Sequence, residues 1–438
     1  MTQWIAPLAV RPWAPRDEIA PQVSGSLETG LTVRSNGSRG CFGGWELVYP
    51  PGKKGDYFFF SVKVRWCGLN HGYEALSAEA RWENEAGDRI DWTPINEWRH
   101  EGDWLVLHKV IDNDTDAARL VVQLLIRWSP TGEIQWAEPR LAPTAPPPPR
   151  RLRLGAGSAR VTPEQSNLDA NCRLFTEVAR RAAGEGINLL CLPEVLLCWR
   201  APGQTPRTMP QFAVEVPGPY IEPFQEVARA EKMAMCFSVF ERERELIYNT
   251  ALLIDESGEI VAKYRKVHLA VPTESTMGIT PGDGFPVGTI RTVNARVGMN
   301  ICMDSSAAES ARAVARAGAE ILMLPIMGDL RADRWSRGRP RFDFMRWVMI
   351  QQMRAMDNQI YLVAARNESV GSGIFAPDGT TLSIDCGDRP IVWADVDLND
   401  LKESMSGAKV RDITWFERRE SQYGVLCGDL APTLPDWS

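Results

Sequence analysis

Apolar and polar residues alternate over several short stretches in the first third of the chain. Glycine, asparagine, aspartate and proline separate these stretches, which is typical of strands joined by turns. They lie at positions 55–66, 75–84, 104–111 and 118–128. The alternation is clearest in the series Leu120, Val122, Leu124, Ile126 and Trp128. Many short strands at similar spacing predict an all-β sandwich or jelly roll over residues 1–141.

The pattern changes after four consecutive prolines, Pro146 to Pro149. Such a run forms a stiff extended spacer, so residues 142–151 are predicted to be a linker. Beyond it, apolar stretches alternate with segments of helical periodicity, which predicts an α/β domain over residues 152–438. Helices are expected at 167–183, 217–233, 307–318 and 343–357, and buried strands at 152–161, 187–195, 293–301 and 320–326.

Length and charge narrow the classes of function. The 438 residues exceed what one core of about 250–300 residues holds. The net charge of −7 is spread evenly, so neither part has the basic surface that nucleic acid requires. No apolar run approaches the roughly 18 residues of a membrane span. The nine cysteines are scattered, and no two have the spacing of a metal-binding pair. This indicates a reduced, cytoplasmic protein without a metal or other cofactor.

Cys302 ends one apolar strand and precedes a helical segment. Ser306 and Glu309 have the spacing of a capping box that would begin this helix, and Gly318 would end it. The positive end of a helix favours a thiolate and offers backbone amides to an oxyanion. Cys302 is therefore a candidate nucleophile, and the alternative is a buried structural cysteine.

Three further polar residues follow or extend apolar strands. Glu194 follows the apolar run and the proline near the end of the strand predicted at 187–195. It is either a buried functional carboxylate or a surface loop residue. Strand alternation places Lys266 on one face with Tyr264 and His268, and the alternative is a solvated basic edge. Glu274 follows in a loop rich in proline, threonine and glycine, where it is either part of a site or simply exposed.

Together these segments resemble the nitrilase superfamily of carbon–nitrogen hydrolases. The segments LLCLPE, YRKVHL and GMNICMD occur in the order and spacing of that family, and the resemblance covers about residues 152–425. It implies an α-β-β-α sandwich that pairs into a homo-oligomer. It also implies that Cys302 is the nucleophile, Glu194 the general base, Lys266 the catalytic lysine, and Glu274 the second glutamate that positions the site.

This set of residues suits hydrolysis of a small-molecule amide or carbamoyl substrate. Attack by the thiol of Cys302 gives a thioester, and Lys266 with the backbone N–H of Met303 would stabilise the oxyanion. Nitrile-hydrolysing members of the superfamily usually carry Trp-Glu after the cysteine, whereas here Met303 and Asp304 follow it. Three alternatives stay open: acyl transfer to an amine, a Cys–His mechanism that uses His268, and an inactive binding protein that works through its sandwich.

Two surface features have both a functional and a structural interpretation. An arginine-rich loop follows the strand at 320–326, and it either recognises an acidic substrate group or is a solvated or subunit-contact loop. Its arginines are Arg331, Arg334, Arg337, Arg339 and Arg341. Ten of the 16 tryptophans lie before position 142, where exposed ones would stack on sugars but most would fill the core of the sandwich.

Overall fold

The computed structural model describes residues 4–334, 341–367, 370–401, 409–414 and 417–426. The chain forms two compact units. The first contains residues up to Pro148 together with those from Leu401 onward, and the second runs from Pro149 to Asp400. This division differs from the predicted hydrolase domain of residues 152–438, because the described residues after position 400 pack with the first unit.

The first unit consists of two antiparallel sheets, which confirms the predicted β-sandwich. Their strands follow the orders β1-β4-β10-β6-β7 and β2-β3-β11-β5-β9-β8. The strands are β1 (Ala9–Trp13), β2 (Gln22–Ser26), β3 (Gly30–Arg34), β4 (Phe42–Tyr49), β5 (Tyr57–Cys67), β6 (Leu76–Glu83), β7 (Arg89–Pro94), β8 (Glu97–Glu101), β9 (Trp104–Asp112), β10 (Arg119–Arg127) and β11 (Glu133–Thr144).

The alternating residues of β10 fill the core between the sheets, with one exception. Leu120, Val122, Leu124 and Ile126 are fully buried. Trp128 follows the end of the strand with a φ of 55°, and its side chain is 41% exposed. The left-handed backbone at this position interrupts the two-residue alternation, so Trp128 does not continue the buried series.

Strand β11 extends beyond the predicted start of the linker. It pairs with β5 as far as Thr144, and Pro143 lies opposite Phe58. Strand β3 pairs with β11 only at Glu133–Trp136. Beyond it, Leu141 bridges to Ile5, and Pro143 pairs with β5 near the end of the strand. Proline is tolerated there because a strand edge does not require its missing N–H. The segment without regular structure is therefore residues 145–150.

The second unit contains two mixed six-stranded sheets, with the orders β16-β15-β14-β13-β12-β25 and β17-β18-β19-β22-β23-β24. Their strands, with the small pair β20 and β21, are β12 (Arg151–Gly157), β13 (Leu189–Cys191), β14 (Ala234–Glu243), β15 (Leu246–Ile254), β16 (Ile260–Arg265), β17 (Val287–Thr289), β18 (Arg296–Met299), β19 (Ile321–Ile326), β20 (Asp333–Arg334), β21 (Arg341–Phe342), β22 (Tyr361–Arg366), β23 (Gly373–Phe375), β24 (Thr381–Ile384) and β25 (Ile391–Asp397).

Helices cover the outer faces of both sheets. The helices are α1 (Leu168–Gly184), α2 (Glu222–Glu231), α3 (Thr273–Thr276), α4 (Ala308–Arg316) and α5 (Phe344–Asn358), and α6 (Val410–Thr414) belongs to the first unit. Helices α1 and α2 pack on the first sheet, while α4 and α5 contact the second. Residues such as Leu154 and Val297 share the core between the sheets. This arrangement confirms the predicted α-β-β-α sandwich.

Parallel strands gather the polar segments at one edge of this unit. Strands β12, β13 and β14 run parallel in the first sheet, and β18, β19 and β22 run parallel in the second. The carboxyl ends of parallel strands are where α/β folds place their sites. Among the described residues, no helix has both the length and the apolar character needed to cross a membrane.

Candidate active site

Four of the predicted site residues come from different elements of the second unit. Glu194 lies three residues after β13, and Lys266 directly follows β16. Glu274 is in the short helix α3, and Cys302 lies three residues after β18. Strand β13 is apolar and buried, β18 is buried except at Arg296, and β16 is mostly half-buried. The residues beyond these strand ends reach the same edge of the sandwich.

The ammonium group of Lys266 lies between two carboxylates. Its Nζ atom donates to Oε1 of Glu194 at 2.9 Å and to Oε2 of Glu274 at 2.7 Å. All three side chains are buried, and Lys266 is only 1% exposed. Burial alone would lower the pKa of Lys266, but the charges of Glu194, Cys302 and Glu274 outweigh it and raise the pKa above its usual value. The lysine is therefore a fixed cation in a site that excludes water.

Asn249, which the sequence analysis missed, links the same two carboxylates. Its Nδ2 atom donates to Oε1 of Glu194 at 2.9 Å and to Oε1 of Glu274 at 2.7 Å. Its Oδ1 atom accepts from Oγ of Ser238 at 3.0 Å. Burying an asparagine within the apolar strand β15 costs free energy unless its amide is hydrogen-bonded. A polar residue in this apolar run was therefore the sequence signal that could have identified Asn249.

The second oxygen of Glu194 is also held. Its Oε2 atom accepts from the backbone N–H of Met327 at 3.0 Å, and its main-chain carbonyl accepts from Nδ2 of Asn367 at 2.7 Å. The following residue, Val195, has a φ of 42° and donates its N–H to Ser238. The carboxylate of Glu194 thus has one orientation, set by groups from several strands.

Cys302 occupies a strained position next to this cluster. Its φ is 43°, in the left-handed region that non-glycine residues rarely adopt, and its side chain is partly buried. The Sγ atom donates to the carbonyl of Gly328 at 3.4 Å. Burial, helped by the charge of Glu194, raises the pKa of Cys302 to about 12, against the lowering effect of Lys266. This direction is opposite to the expectation that a helix end favours the thiolate.

The turn that carries Cys302 differs from the predicted start of a helix. Residues Cys302–Ser306 form a 3-10 turn, and α4 begins only at Ala308, with no side-chain cap at Ala307. The predicted capping box of Ser306 and Glu309 is therefore wrong. Met303, the predicted oxyanion donor, is the second residue of this turn. Gly318 follows the end of the helix as expected, with a φ of 92°.

Asp304 supplies the contacts that a capping box would have supplied. Its Oδ2 atom accepts from the N–H of Ile301 at 2.8 Å and from the hydroxyl of Tyr264 at 2.6 Å. Its Oδ1 atom accepts the N–H of His268 at 3.0 Å and lies 2.9 Å from Nδ1 of the same histidine. Asp304 is completely buried, and it joins the turn of Cys302 to the segment that carries Lys266.

His268 has partners that argue against a Cys–His mechanism. Nδ1 lies 2.9 Å from Asp304 and 3.0 Å from Oγ of Ser310. The hydrogen bond to Asp304 raises the pKa of His268 above its usual value. A raised pKa and a structural partner are poor properties for a base that must be neutral to accept a proton.

The arginine-rich loop is only partly described. Arg331 donates to Asp329 and to the main-chain carbonyls of Ser305 and Ser306. Its guanidinium therefore braces the turn after Cys302 and has most of its donors occupied. Arg337 and Arg339 lie outside the described residues, as does the side chain of Arg334. Arg341 is exposed at the start of the two-residue strand β21.

Comparison with known proteins identifies the family. The sequence profile described as "Carbon-nitrogen hydrolase" matches residues 155–404. The chain belongs to this family, within the nitrilase superfamily, and is a hydrolase of carbon–nitrogen bonds other than peptide bonds. The match begins after the eleven strands described for the first unit, so it does not cover the β-sandwich.

Curated relatives agree with this assignment, and a solved structure shares the fold. The omega-amidase NIT2 of Xenopus tropicalis is 28% identical over 293 residues, 63% of this chain and 98% of the relative. The omega-amidase NIT2 of Bos taurus is 30% identical over 257 residues, 55% of this chain and 86% of the relative. A carbon–nitrogen hydrolase from Helicobacter pylori shares the fold with a TM-score of 0.54 and 22% identity, over 63% of this chain and 98% of its own.

Proposed function

We propose that this protein hydrolyses a small amide or carbamoyl compound through a thioester on Cys302. The observation that carries the proposal is the buried contact of Lys266 with Glu194 and Glu274, beside the thiol. The curated relatives are omega-amidases, which favours the terminal amide of a carboxylic acid as the substrate class. A cytoplasmic location and self-association remain predictions.

In the first step Glu194 takes the proton from Sγ of Cys302 as the sulfur attacks the carbonyl carbon. A base is required, because a thiol with a pKa of about 12 is protonated at neutral pH. The electron pair of the C=O bond moves to oxygen, and the ammonium of Lys266 with the N–H of Met303 stabilises that oxyanion. Glu194 then gives its proton to the departing nitrogen, so ammonia or an amine leaves and a thioester remains.

In the second step water replaces the amine. Glu194, now a carboxylate again, accepts a proton from water as the water oxygen attacks the thioester carbonyl. The C–S bond breaks, the thiol regains its proton from Glu194, and the carboxylic acid is released. Glu274 and Asn249 act by holding Lys266 and Glu194 in position throughout.

Mass spectrometry of the intact protein tests the thioester directly. The Glu194→Gln variant lacks the base of both steps, so on long incubation with a panel of primary amides and ureido acids an acyl adduct on Cys302 should form slowly and then persist. The wild-type protein should release ammonia from the same compound. Cys67→Ala, at an exposed cysteine of the first unit, is the matched control and should change neither result.

Two outcomes would contradict the proposal. One is full turnover by Cys302→Ala, and the other is an adduct that survives the loss of Cys302. Adding an amine acceptor separates hydrolysis from acyl transfer, because hydrolysis predicts that the free acid remains the main product.

A further inference from the structure

A cavity of about 340 Å³ opens at one end of the β-sandwich, within the first unit. The loops that follow β3, β5 and β10 meet there, because the ends of β3 and β5 both pair with Glu133 at the start of β11. The segment from position 417 onward completes the wall. The lining includes Arg39, Asn70, His71, Trp128, Arg419 and Gln422.

Ser129 joins the three loops from within, and it is completely buried. Its Oγ atom accepts from the N–H of Asn70 at 3.0 Å and donates to the carbonyl of Thr131 at 2.7 Å. Its main-chain carbonyl accepts from Oγ of Ser35 at 2.7 Å. Because these hydrogen bonds hold the loops together, the side chains at the rim are positioned before any ligand binds, and such preorganisation lowers the cost of binding.

Trp128 supplies an exposed aromatic wall. Its left-handed backbone, with a φ of 55°, takes it out of the buried series of β10, and the residue is 41% exposed. The guanidinium carbons of Arg127 and Arg419 lie 5.0 and 5.3 Å from its ring centroid and hold the ring in place. A fixed and exposed aromatic ring in a cavity wall offers an apolar contact to the C–H groups of a ligand.

The permanently charged side chains of the lining are both cations. Arg39 and Arg419 come from different segments and are exposed, whereas the lining residues that the structure describes include no aspartate or glutamate. Arg39 has no ion-pair partner among the described residues, and Nε of Arg419 lies 3.9 Å from Oε2 of Glu74. Arginines from separate segments suit a phosphate or a carboxylate, whose oxygens accept their N–H groups in pairs.

Two side-chain amides complete the polar lining. Asn70 and Gln422 are exposed, and each amide offers both a donor and an acceptor. Nε2 of Gln422 donates to Oγ of Ser421 at 3.1 Å, which leaves its Oε1 atom as an acceptor. A hydroxyl group also donates and accepts, so these amides suit a ligand that carries hydroxyls.

We propose that this cavity binds an anionic sugar, either a sugar phosphate or a uronic acid. Arg39 and Arg419 bind the phosphate or carboxylate, and the amides of the lining bind the hydroxyls. The ring of Trp128 contacts the C–H groups of the sugar. The cavity volume lies within the range of about 300–1,000 Å³ that is usual for small-molecule sites. None of these residues belongs to the proposed catalytic set, so the inference is independent of the proposed reaction.

Calorimetric titration of the full-length protein tests the proposal with glucose 6-phosphate, glucuronate, glucose and inorganic phosphate. At least one of the two sugar anions should bind at least about tenfold more tightly than glucose and than inorganic phosphate, because only a sugar anion engages the arginines and the ring together. Binding of one sugar anion alone would identify phosphate or carboxylate as the recognised group. Cys302→Ala should bind the same ligand as tightly as the wild type.

Two variants locate the site. Arg39→Ala should weaken binding of the sugar anion at least about tenfold, because a charge-assisted contact is lost. Trp128→Ala should also weaken it but leave binding of inorganic phosphate unchanged. Arg99→Ala and Trp98→Ala, at exposed residues of β8, are the matched controls and should change neither. Circular dichroism checks that each variant is folded, and Arg39 is exposed, so its loss leaves the core of the sandwich intact.

Three outcomes would overturn the proposal. One is failure of both sugar anions to bind the wild-type protein. Another is binding that is equal in the wild type, Arg39→Ala and Trp128→Ala, which would put the ligand elsewhere on the protein. The third is inorganic phosphate that binds as tightly as glucose 6-phosphate, because the aromatic wall would then contribute nothing.

Discussion

The ammonium nitrogen of Lys266 lies 2.9 Å from Oε1 of Glu194, and both side chains are almost completely buried. The charge of Glu194 favours the ionised form of Lys266, since water cannot screen the two charges. The pair therefore combines a structural role with a chemical one, because the same contact that holds the site together fixes where charge is available.

Replacing Lys266 should cost both stability and activity. Lys266→Met leaves two buried carboxylates without their cation, so we expect the free energy of unfolding to fall by about 3–5 kcal/mol. Loss of one oxyanion donor should lower kcat by about 10²–10³. Urea denaturation and steady-state kinetics measure the two effects. Lys232→Met, at the exposed end of α2, should change neither, and an active Lys266→Met would contradict the assignment.

Asn249 should behave as a positioning residue. Asn249→Ala removes hydrogen bonds to Glu194 and Glu274 but leaves every proposed reacting group in place. We expect kcat to fall about 10²-fold while the acyl adduct still forms on Cys302, more slowly, in the Glu194→Gln background. Ser238→Ala removes the partner of Asn249 Oδ1 and the acceptor of the Val195 N–H, and it should have a smaller effect in the same direction. A normal kcat in Asn249→Ala would show that Lys266 alone positions the carboxylates.

The thiol of Cys302 should have an unusual pH dependence. Burial and the charge of Glu194 raise its pKa to about 12, so the thiolate fraction should increase about tenfold per pH unit from pH 7 upward. Glu194→Gln removes a charge that raises this pKa, and the pKa should therefore fall. Alkylation of Cys302 by iodoacetamide at pH 8 should then be faster in Glu194→Gln than in wild type, although turnover is lost. Slower alkylation in that variant would contradict this electrostatic account.

Substitutions of Asp304, His268 and Glu194 distinguish Glu194 from His268 as the general base. Asp304→Asn weakens the contacts to Ile301 and His268 that hold the turn, so kcat should fall about 10²-fold or more. His268→Ala removes one of these contacts and should have a milder effect. If His268→Ala abolished turnover while Glu194→Gln retained it, the Cys–His mechanism would be correct instead.

The segment after position 400 should stabilise the β-sandwich. Oδ1 of Asp412 accepts from Nδ2 of Asn96 at 2.9 Å, and both residues are buried. Asp412→Ala leaves that amide without its partner, so we expect a loss of about 1–3 kcal/mol in the unfolding of the first unit. Tryptophan fluorescence follows this transition. Asp400→Ala, at an exposed residue of the second unit, is the control, and an equal loss there would contradict the prediction.

Sequence patterns predicted the elements that are apolar and regular, together with the polar residues at their ends. The positions of Glu194, Lys266 and Cys302 at strand ends could be predicted because an apolar run and its end are visible in the sequence itself, while their catalytic roles stay predictions. Asn249 and Asp304 were not predicted as site residues, since their importance depends on partners 55 and 36 positions away. The raised pKa of Cys302 was missed for a related reason, because burial is a property of the folded environment.

Local signals also failed where a distant contact decided the outcome. Ser306 and Glu309 have the spacing of a helix start, but Asp304 and Arg331 already determine the path of the chain there. The position of residues after 400 was unpredictable for the same reason, because Asp412 finds its partner in Asn96, which lies 316 positions earlier.

The path of the chain determines the result of a single proteolytic cut. Residues 409–414 and 417–426 return to the sandwich through contacts that include Glu417 with Arg127 and Ser421 with Glu74. The hydrolase is therefore an insertion, tethered at both of its ends. A protease that cuts once within residues 145–150 would generate two fragments on a denaturing gel that still elute together in native chromatography.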